Sequence, residues 1–140
     1  MITIHATTIG IEGAGIILRG PSGSGKSDFA LRMIDGGAAL VADDQTMLFV
    51  ENNRLMAQSP PELAGKMEIR GVGIVQMNAP SAVPVALVVD MVDESEVPRV
   101  PTFDPVELVG FKVPVMHLAP FELSATVKLK IALRNMPTPD

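Results

Sequence analysis

The sequence predicts an α/β fold with a mixed sheet and few helices, built around a phosphate-binding loop. Three observations predict it. A β-prone apolar run, Gly15-Ile16-Ile17-Leu18-Arg19, leads into Gly20-Pro21-Ser22-Gly23-Ser24-Gly25-Lys26-Ser27, and a helical pattern from Phe29 to Ile34 leads out. Short β-prone runs recur along the rest of the chain. Only two stretches carry a clear helical period.

Strands are expected at Thr3–Ile9, Gly15–Arg19, Ala39–Ala42, Thr46–Val50, Arg54–Ala57, Gly73–Met77, Val85–Met91 and Val113–Leu118. The first two read as a hairpin around Glu12-Gly13, where glycine supplies the turn. Glu51-Asn52-Asn53 is a second turn of this kind. The first helix spans about Gly25–Ile34 and stops at Gly36-Gly37. The second spans about Phe121–Asn135, with Leu123, Val127 and Ile131 on one stripe, Leu129 and Leu133 flanking it, and Pro137 forbidding continuation. Pro61–Ala64 suits a short helical turn. Pro98, Pro101 and Pro105 make Val97–Pro105 a surface loop, with contact to a substrate as the sharper reading.

At 140 residues the chain reads as a single domain, 1–140, without linker or repeat. With 47% hydrophobic and 19% charged residues it has the composition of a packed core rather than of disorder. The nine methionines lie mostly beside apolar residues and read as core filler. Absent cysteines exclude disulfides and cysteine-based metal sites. A net charge of −5 with no basic cluster, and no Trp or Tyr, argues against a nucleic-acid partner. No apolar run approaches the ~20 residues of a membrane span, and Met1–His5 lacks a basic leader, so no membrane association is expected.

The loop is the strongest chemical signal. Its glycines let the backbone take φ > 0 and turn several N–H groups toward phosphate oxygens. The helix opening near Lys26 adds its positive dipole end. In this pattern Lys26 reaches the β- and γ-phosphates and the Ser27 hydroxyl holds Mg²⁺, so the chain is expected to bind a nucleoside triphosphate. A Gly/Ser-rich connector is the alternative reading of the same residues.

Phosphoryl transfer also needs a proton acceptor and cationic charge. Asp43-Asp44 close the run Ala38–Ala42, seventeen and eighteen positions after Lys26. A strand following the first helix is expected to return beside the loop strand and set these acids near its carboxyl end. Repulsion between adjacent carboxylates makes one a better proton acceptor, while an acidic turn capping an exposed strand fits the spacing equally. Asp90, after Ala86–Val89, has the form of a Mg²⁺-linked acid, and residue chemistry alone does not choose between Asp44 and Asp90. Glu68-Ile69-Arg70-Gly71-Val72-Gly73 offers an acid, a guanidinium and close backbone approach, or simply a turn with a surface ion pair. His5 and His117 each read first as structural histidines in apolar strands.

Together, His5, the loop Gly20–Ser27, Leu40–Asp44 and Glu68–Val75 resemble the kinase domain of bacterial HPr kinase/phosphorylase, which phosphorylates a serine of HPr, the small carrier protein of the sugar phosphotransferase system. The match is close from Ile4 to Val75 and loose beyond. The resemblance implies a fold like that of phosphoenolpyruvate carboxykinase around its nucleotide site, with ATP and Mg²⁺ bound there. It implies Asp44 as general base with Asp43 as supporting acid, Ser27 and Glu68 as Mg²⁺ ligands, and His5 and Lys26 as active-site residues. Arg70 or Arg99 would assist the developing charge, Arg99 being the counterpart of a family arginine. It further implies a cytoplasmic enzyme regulating carbon or nitrogen metabolism through HPr, assembled as a homo-oligomer, a hexamer in this family. Beginning almost at His5, the chain is similar to the short α-proteobacterial forms. Val113–Pro120 lacks the Arg/Gly-rich segment linked to dephosphorylation, so the reverse reaction is not carried over. Two other readings are a nucleotide-binding regulatory module without transfer and a small-molecule kinase.

Overall fold

The structure, a computed structural model, describes residues 1–136; Pro137, expected to stop the last helix, lies outside them. Its frame is an eight-stranded mixed sheet. At the centre, β3 (Ala14–Arg19) lies antiparallel to β2 (Thr7–Ile11) on one side and parallel to β9 (Val83–Met91) on the other. The β2–β3 hairpin turns at Glu12-Gly13 with both residues at positive φ, as the sequence predicts.

Both central strands are buried on two faces, which is why they read as unbroken apolar runs. Their alternating side chains divide between two cores. Ile16 and Leu18 of β3, with Leu87 and Val89 of β9, pack on one side with Phe29, Met33 and Leu129. Ile17 and Val88 face the other side, with Ala6, Leu48, Leu55 and Ala57. Met33, Met56, Met67, Met91 and Met116 are buried, in keeping with their reading as filler.

The expected strand Thr3–Ile9 is in fact two. β1 (Ile2–His5) pairs with β5 (Gln45–Glu51), whereas β2 pairs with β3 and β4 (Ala39–Ala42), and buried Ala6 is the joint. In the sheet order β1-β5-β6-β9-β3-β2-β4, where β6 is Arg54–Gln58, Ala6 therefore links β1 at one end to β2, the last strand but one at the other. β6 (Arg54–Gln58) follows β5 through a turn with Asn52 and Asn53 at positive φ, and pairs with the start of β9. β4 does not return beside the loop strand as expected. It lies antiparallel to β2, one strand further out, because the β2–β3 hairpin already fills that edge. The far half of β9 pairs in parallel with β12 (Val115–Leu118). Pro114 separates β12 from β11 (Phe111–Val113), so the expected strand Val113–Leu118 is broken where proline lacks an N–H. β11 forms a small hairpin with β10 (Val106–Leu108), and Val97–Pro105 is irregular, as its prolines require.

Helix α1 (Lys26–Asp35) buries Phe29, Ala30 and Met33 and ends at Gly36, whose N–H reaches the Arg32 and Met33 carbonyls. Helix α2 (Ala125–Asn135) starts later than expected, after a turn over Phe121–Ser124, and buries Ala125 and Leu129. The predicted stripe Leu123, Val127, Ile131 is the exposed one. Small Ala125 permits close approach to the core, so the narrow Ala125/Leu129 face wins over the more hydrophobic one. Arg32 ties α1 to the segment that leads into α2, donating to the Pro120 carbonyl while its guanidinium lies 5.4 Å from the Phe29 ring centre.

Candidate active site

The strand β3 delivers the chain to Gly20 at the edge of a cleft of ≈ 820 Å³. Gly23 and Gly25 take left-handed φ of 83° and 99°, which turn the loop back on itself before α1 begins at Lys26. The Lys26 side chain is almost fully buried and donates to the carbonyls of Gly20 and Pro21, the latter at 3.1 Å. The Ser24 hydroxyl is enclosed without a hydrogen-bond partner among the described residues. A buried orphan hydroxyl in a loop turned by left-handed glycines suits an anion.

Gly25 is also held sterically. A Cβ there would sit 3.0 Å from both the Phe121 ring and Pro120. Gly25→Ala is expected to destabilise the fold by about 1–2 kcal/mol, combining left-handed strain with this contact. Urea unfolding should show a lower midpoint with an unchanged slope.

Opposite the loop, Asp43 joins three elements. Its Oδ1 accepts from Ser27 Oγ at 3.2 Å and Thr7 Oγ1 at 3.3 Å, and its Oδ2 accepts from the Glu68 amide at 3.3 Å. A serine hydroxyl has one proton and two lone pairs; spending the proton on Asp43 leaves Ser27 lone pairs for a cation. Asp44 is exposed on the cleft wall at φ 68°, and its Oδ1 lies 2.6 Å from His5 Nε2. An ionised carboxylate only accepts, so the imidazole nitrogen is the donor.

The third wall is a hairpin of β7 (Lys66–Ile69) and β8 (Gly73–Gln76). Buried Met67 anchors it and turns its neighbour Glu68 outward, toward the cleft. Gly71 and Gly73, both at positive φ, make the tip that carries Arg70. The structure thus brings Ser22, Gly23, Gly25, Lys26, Ser27, Asp44, Glu68 and Arg70 to one cleft, with His5 and Asp43 bonded to its wall, whereas Gly20, Pro21 and Ser24 of the loop do not line it.

Two sequence candidates lie elsewhere. Asp90 forms a bidentate pair with Arg19, at 2.8 and 3.0 Å, in a separate cleft of ≈ 310 Å³ that His117 also lines. Arg99 is exposed on the proline-rich loop and is not among the lining residues of the loop cleft. Register explains Asp90: it stands opposite Arg19 on β3, where a carboxylate and guanidinium meet before the loop begins.

The family model for the HPr serine kinase C-terminal domain matches residues 1–92. The chain belongs to that family. The match spans β1 to β9 and hence every residue of the cleft except Phe121, while Arg99 falls beyond it. Among its relatives, HPr kinase/phosphorylase of Peptoclostridium acidaminophilum is 40% identical over 98 residues, covering 67% of this chain and 32% of that protein. The Lactobacillus acidophilus protein of the same name is 40% identical over 76 residues, covering 54% and 24%. The chain thus spans no more than a third of the length of these two relatives. A solved structure, the HPr(Ser) kinase/phosphatase from Coxiella burnetii, matches with a TM-score of 0.85 and 26% identity, covering 96% of this chain and 90% of that one. The resemblance read from the residues is borne out.

Two residues that this kinase-family site gathers escape sequence reasoning. Thr7 lies in a buried strand beneath the acids, where its only signal is a polar pair, Thr7-Thr8, in an apolar run. Phe121 lies against Gly25, almost a hundred positions away in sequence.

Proposed function

We propose that the chain is a Mg²⁺/ATP-dependent protein serine kinase whose substrate is HPr. The observation that carries this reading is the convergence of Ser27, Asp43 and Asp44 on one wall of the phosphate-loop cleft. The nucleotide core is of the phosphoenolpyruvate carboxykinase-like kind, a reading supported by the antiparallel neighbour of β3, since doubly wound nucleotide folds flank that strand with parallel ones.

Loop amides and the remaining Lys26 donor bind the β- and γ-phosphates of ATP. Ser27 and Glu68 hold Mg²⁺. A hydroxyl and one carboxylate suit Mg²⁺, which keeps several waters and takes few protein ligands beside the phosphates. When bound, Mg²⁺ neutralises charge on the phosphate oxygens.

Asp44 takes the proton of the substrate serine as its oxygen bonds to the γ-phosphorus and the bond to the β,γ-bridging oxygen breaks. His5 holds the Asp44 carboxylate in place at 2.6 Å. Arg70 on the hairpin tip supplies positive charge over the same cleft. Arg99 would need the proline-rich loop to move before it could do so. The reaction that follows from these groups is the forward transfer, which regulates carbon or nitrogen metabolism from the cytoplasm. Residues 1–140 act as one catalytic unit, since α1 and α2 share a core with the loop strand. The exposed stripe Leu123, Val127 and Ile131 favours a homo-oligomer, a hexamer by family.

Leu31 and Phe121 line the apolar part of the cleft and take the nucleobase. Phe121→Ala is expected to weaken ATP binding about tenfold by loss of stacking and to leave tripolyphosphate binding unchanged. Titration calorimetry with the two ligands checks this.

Incubating the chain with Mg²⁺-ATP and purified HPr tests the function. One added phosphate on a serine, read by intact mass and fragment sequencing, supports it. ATP binding without transfer would replace it by the regulatory module, and transfer to a metabolite but not to HPr by a small-molecule kinase.

A further inference from the structure

The conformation of Asp44 calls for a support that the family roles do not name. At φ 68° it occupies the left-handed region, unfavourable for a residue with a Cβ. Two hydrogen bonds bracket it. The Gln45 amide donates to the Asp43 carbonyl at 2.8 Å, and the Asp44 amide donates to Thr7 Oγ1 at 3.1 Å. The same Thr7 hydroxyl gives its own proton to Asp43 Oδ1 at 3.3 Å. Among the described residues, Thr7 is the side chain hydrogen-bonded to both members of the acidic pair.

Its surroundings make this hydroxyl specific to the acids. Thr7 is fully buried on β2, and a buried hydroxyl is costly unless bonded. Valine has the same shape and suits a strand better, so a core role alone gives no reason for the oxygen. The adjacent Thr8 is bonded differently: it meets Thr46 Oγ1 at 2.8 Å, and Thr46 in turn donates to the Ala6 carbonyl at 2.9 Å. That pair fastens β5 to the β1–β2 joint and so fixes the strand on which Thr7 stands.

We infer that Thr7 is a positioning residue for phosphoryl transfer. Its hydroxyl clamps the Asp43-Asp44 turn so that Asp43 meets Ser27 while the Asp44 carboxylate stands exposed on the cleft wall, bonded to His5. The inference rests on the reading of this cleft as a phosphoryl-transfer site. Thr7 touches neither substrate nor phosphate and acts through the acids.

The test compares Thr7→Val, which keeps shape and loses the oxygen, with Thr7→Ser, which keeps the oxygen. In steady-state phosphorylation of HPr, Thr7→Val should lower kcat about 10- to 100-fold, the cost of a small misplacement of a catalytic group. KM for ATP should stay within about twofold of wild type, because Thr7 itself bonds to no residue of the loop. Thr7→Ser should restore kcat to within about threefold. Amide exchange by NMR gives an answer that needs no turnover: the Asp44 N–H should exchange about fivefold or more faster in Thr7→Val than in wild type or Thr7→Ser. Wild-type kcat and exchange in Thr7→Val, or a serine variant as impaired as the valine one, would overturn the inference. Absence of HPr phosphorylation by the wild type would overturn the kinase reading instead, and exchange would still decide the clamp. If thermal melting shows Thr7→Val unfolded, Thr7→Cys, of similar volume and with only a weak donor, carries the same expectations.

Discussion

Asp44→Asn is expected to lower kcat for phosphoryl transfer by about 10²- to 10⁴-fold, the range for removal of a positioned general base. Affinity for Mg²⁺-ATP should stay within about twofold, since Asp44 bonds to His5 and not to the phosphate loop. The amide is nearly isosteric with the carboxylate, so the turn, held by the Asp44 backbone amide and Thr7, is kept. Single-turnover transfer with saturating ATP separates the two effects. Equal losses in binding and transfer would place Asp44 among the nucleotide ligands. Unchanged transfer would return the role to another acid, and Asp43, bonded to Ser27, is the first to examine.

Lys26→Met should act on both steps. The ammonium is the cation of the loop, buried and held by the Gly20 and Pro21 carbonyls. Removing it deletes charge stabilisation at the β- and γ-phosphates, at an expected cost of about 10²- to 10³-fold in kcat, with nucleotide affinity lowered about tenfold or more. It also removes the Lys26 donor from the Gly20 and Pro21 carbonyls, leaving Pro21 only its bond from the Ser24 amide, so the loop itself loosens. Lys26→Arg keeps the charge, but a planar fork cannot replace a compact ammonium in so tight a ring. It should therefore rescue little. An arginine variant with wild-type kcat would show that charge alone matters and that the carbonyl contacts do not.

The parts of the fold set by local chemistry were legible in the sequence. Gly25 and Gly36 bound α1 because one supplies a left-handed entry and the other an exit amide. Glu12-Gly13 and Asn52-Asn53 make their turns because such residues tolerate positive φ. What depends on partners was not legible. Nothing in the β-prone run Thr3–Ile9 marks Ala6 as the point where pairing passes from β5 to β3 and β4. β7 was missed because Lys66-Met67-Glu68-Ile69 buries only Met67, too little pattern for a strand. The outward turn of Leu123, Val127 and Ile131 reverses the usual rule for an amphipathic helix, since packing chose the side with Ala125.

The same division holds in the site. Gly20–Ser27 announces itself because phosphate binding is done by contiguous backbone. The choice of Asp44 over Asp90 rests on resemblance and not on residue chemistry, and the two acids stand in different surroundings. Arg19 neutralises Asp90 by register, whereas Asp44 opens on the cleft and Asp43 reaches Ser27. Thr7 and Phe121 could not be read at all, because their significance lies in contacts that the fold creates.

A crystal structure with Mg²⁺ and a hydrolysis-resistant ATP analogue tests the central claim most directly. The account predicts the triphosphate along the Gly20–Ser27 amides, the metal between Ser27 and Glu68, and the terminal phosphate facing Asp44. A nucleotide seated at the Arg19–Asp90 cleft, or a terminal phosphate turned away from Asp44, would contradict it.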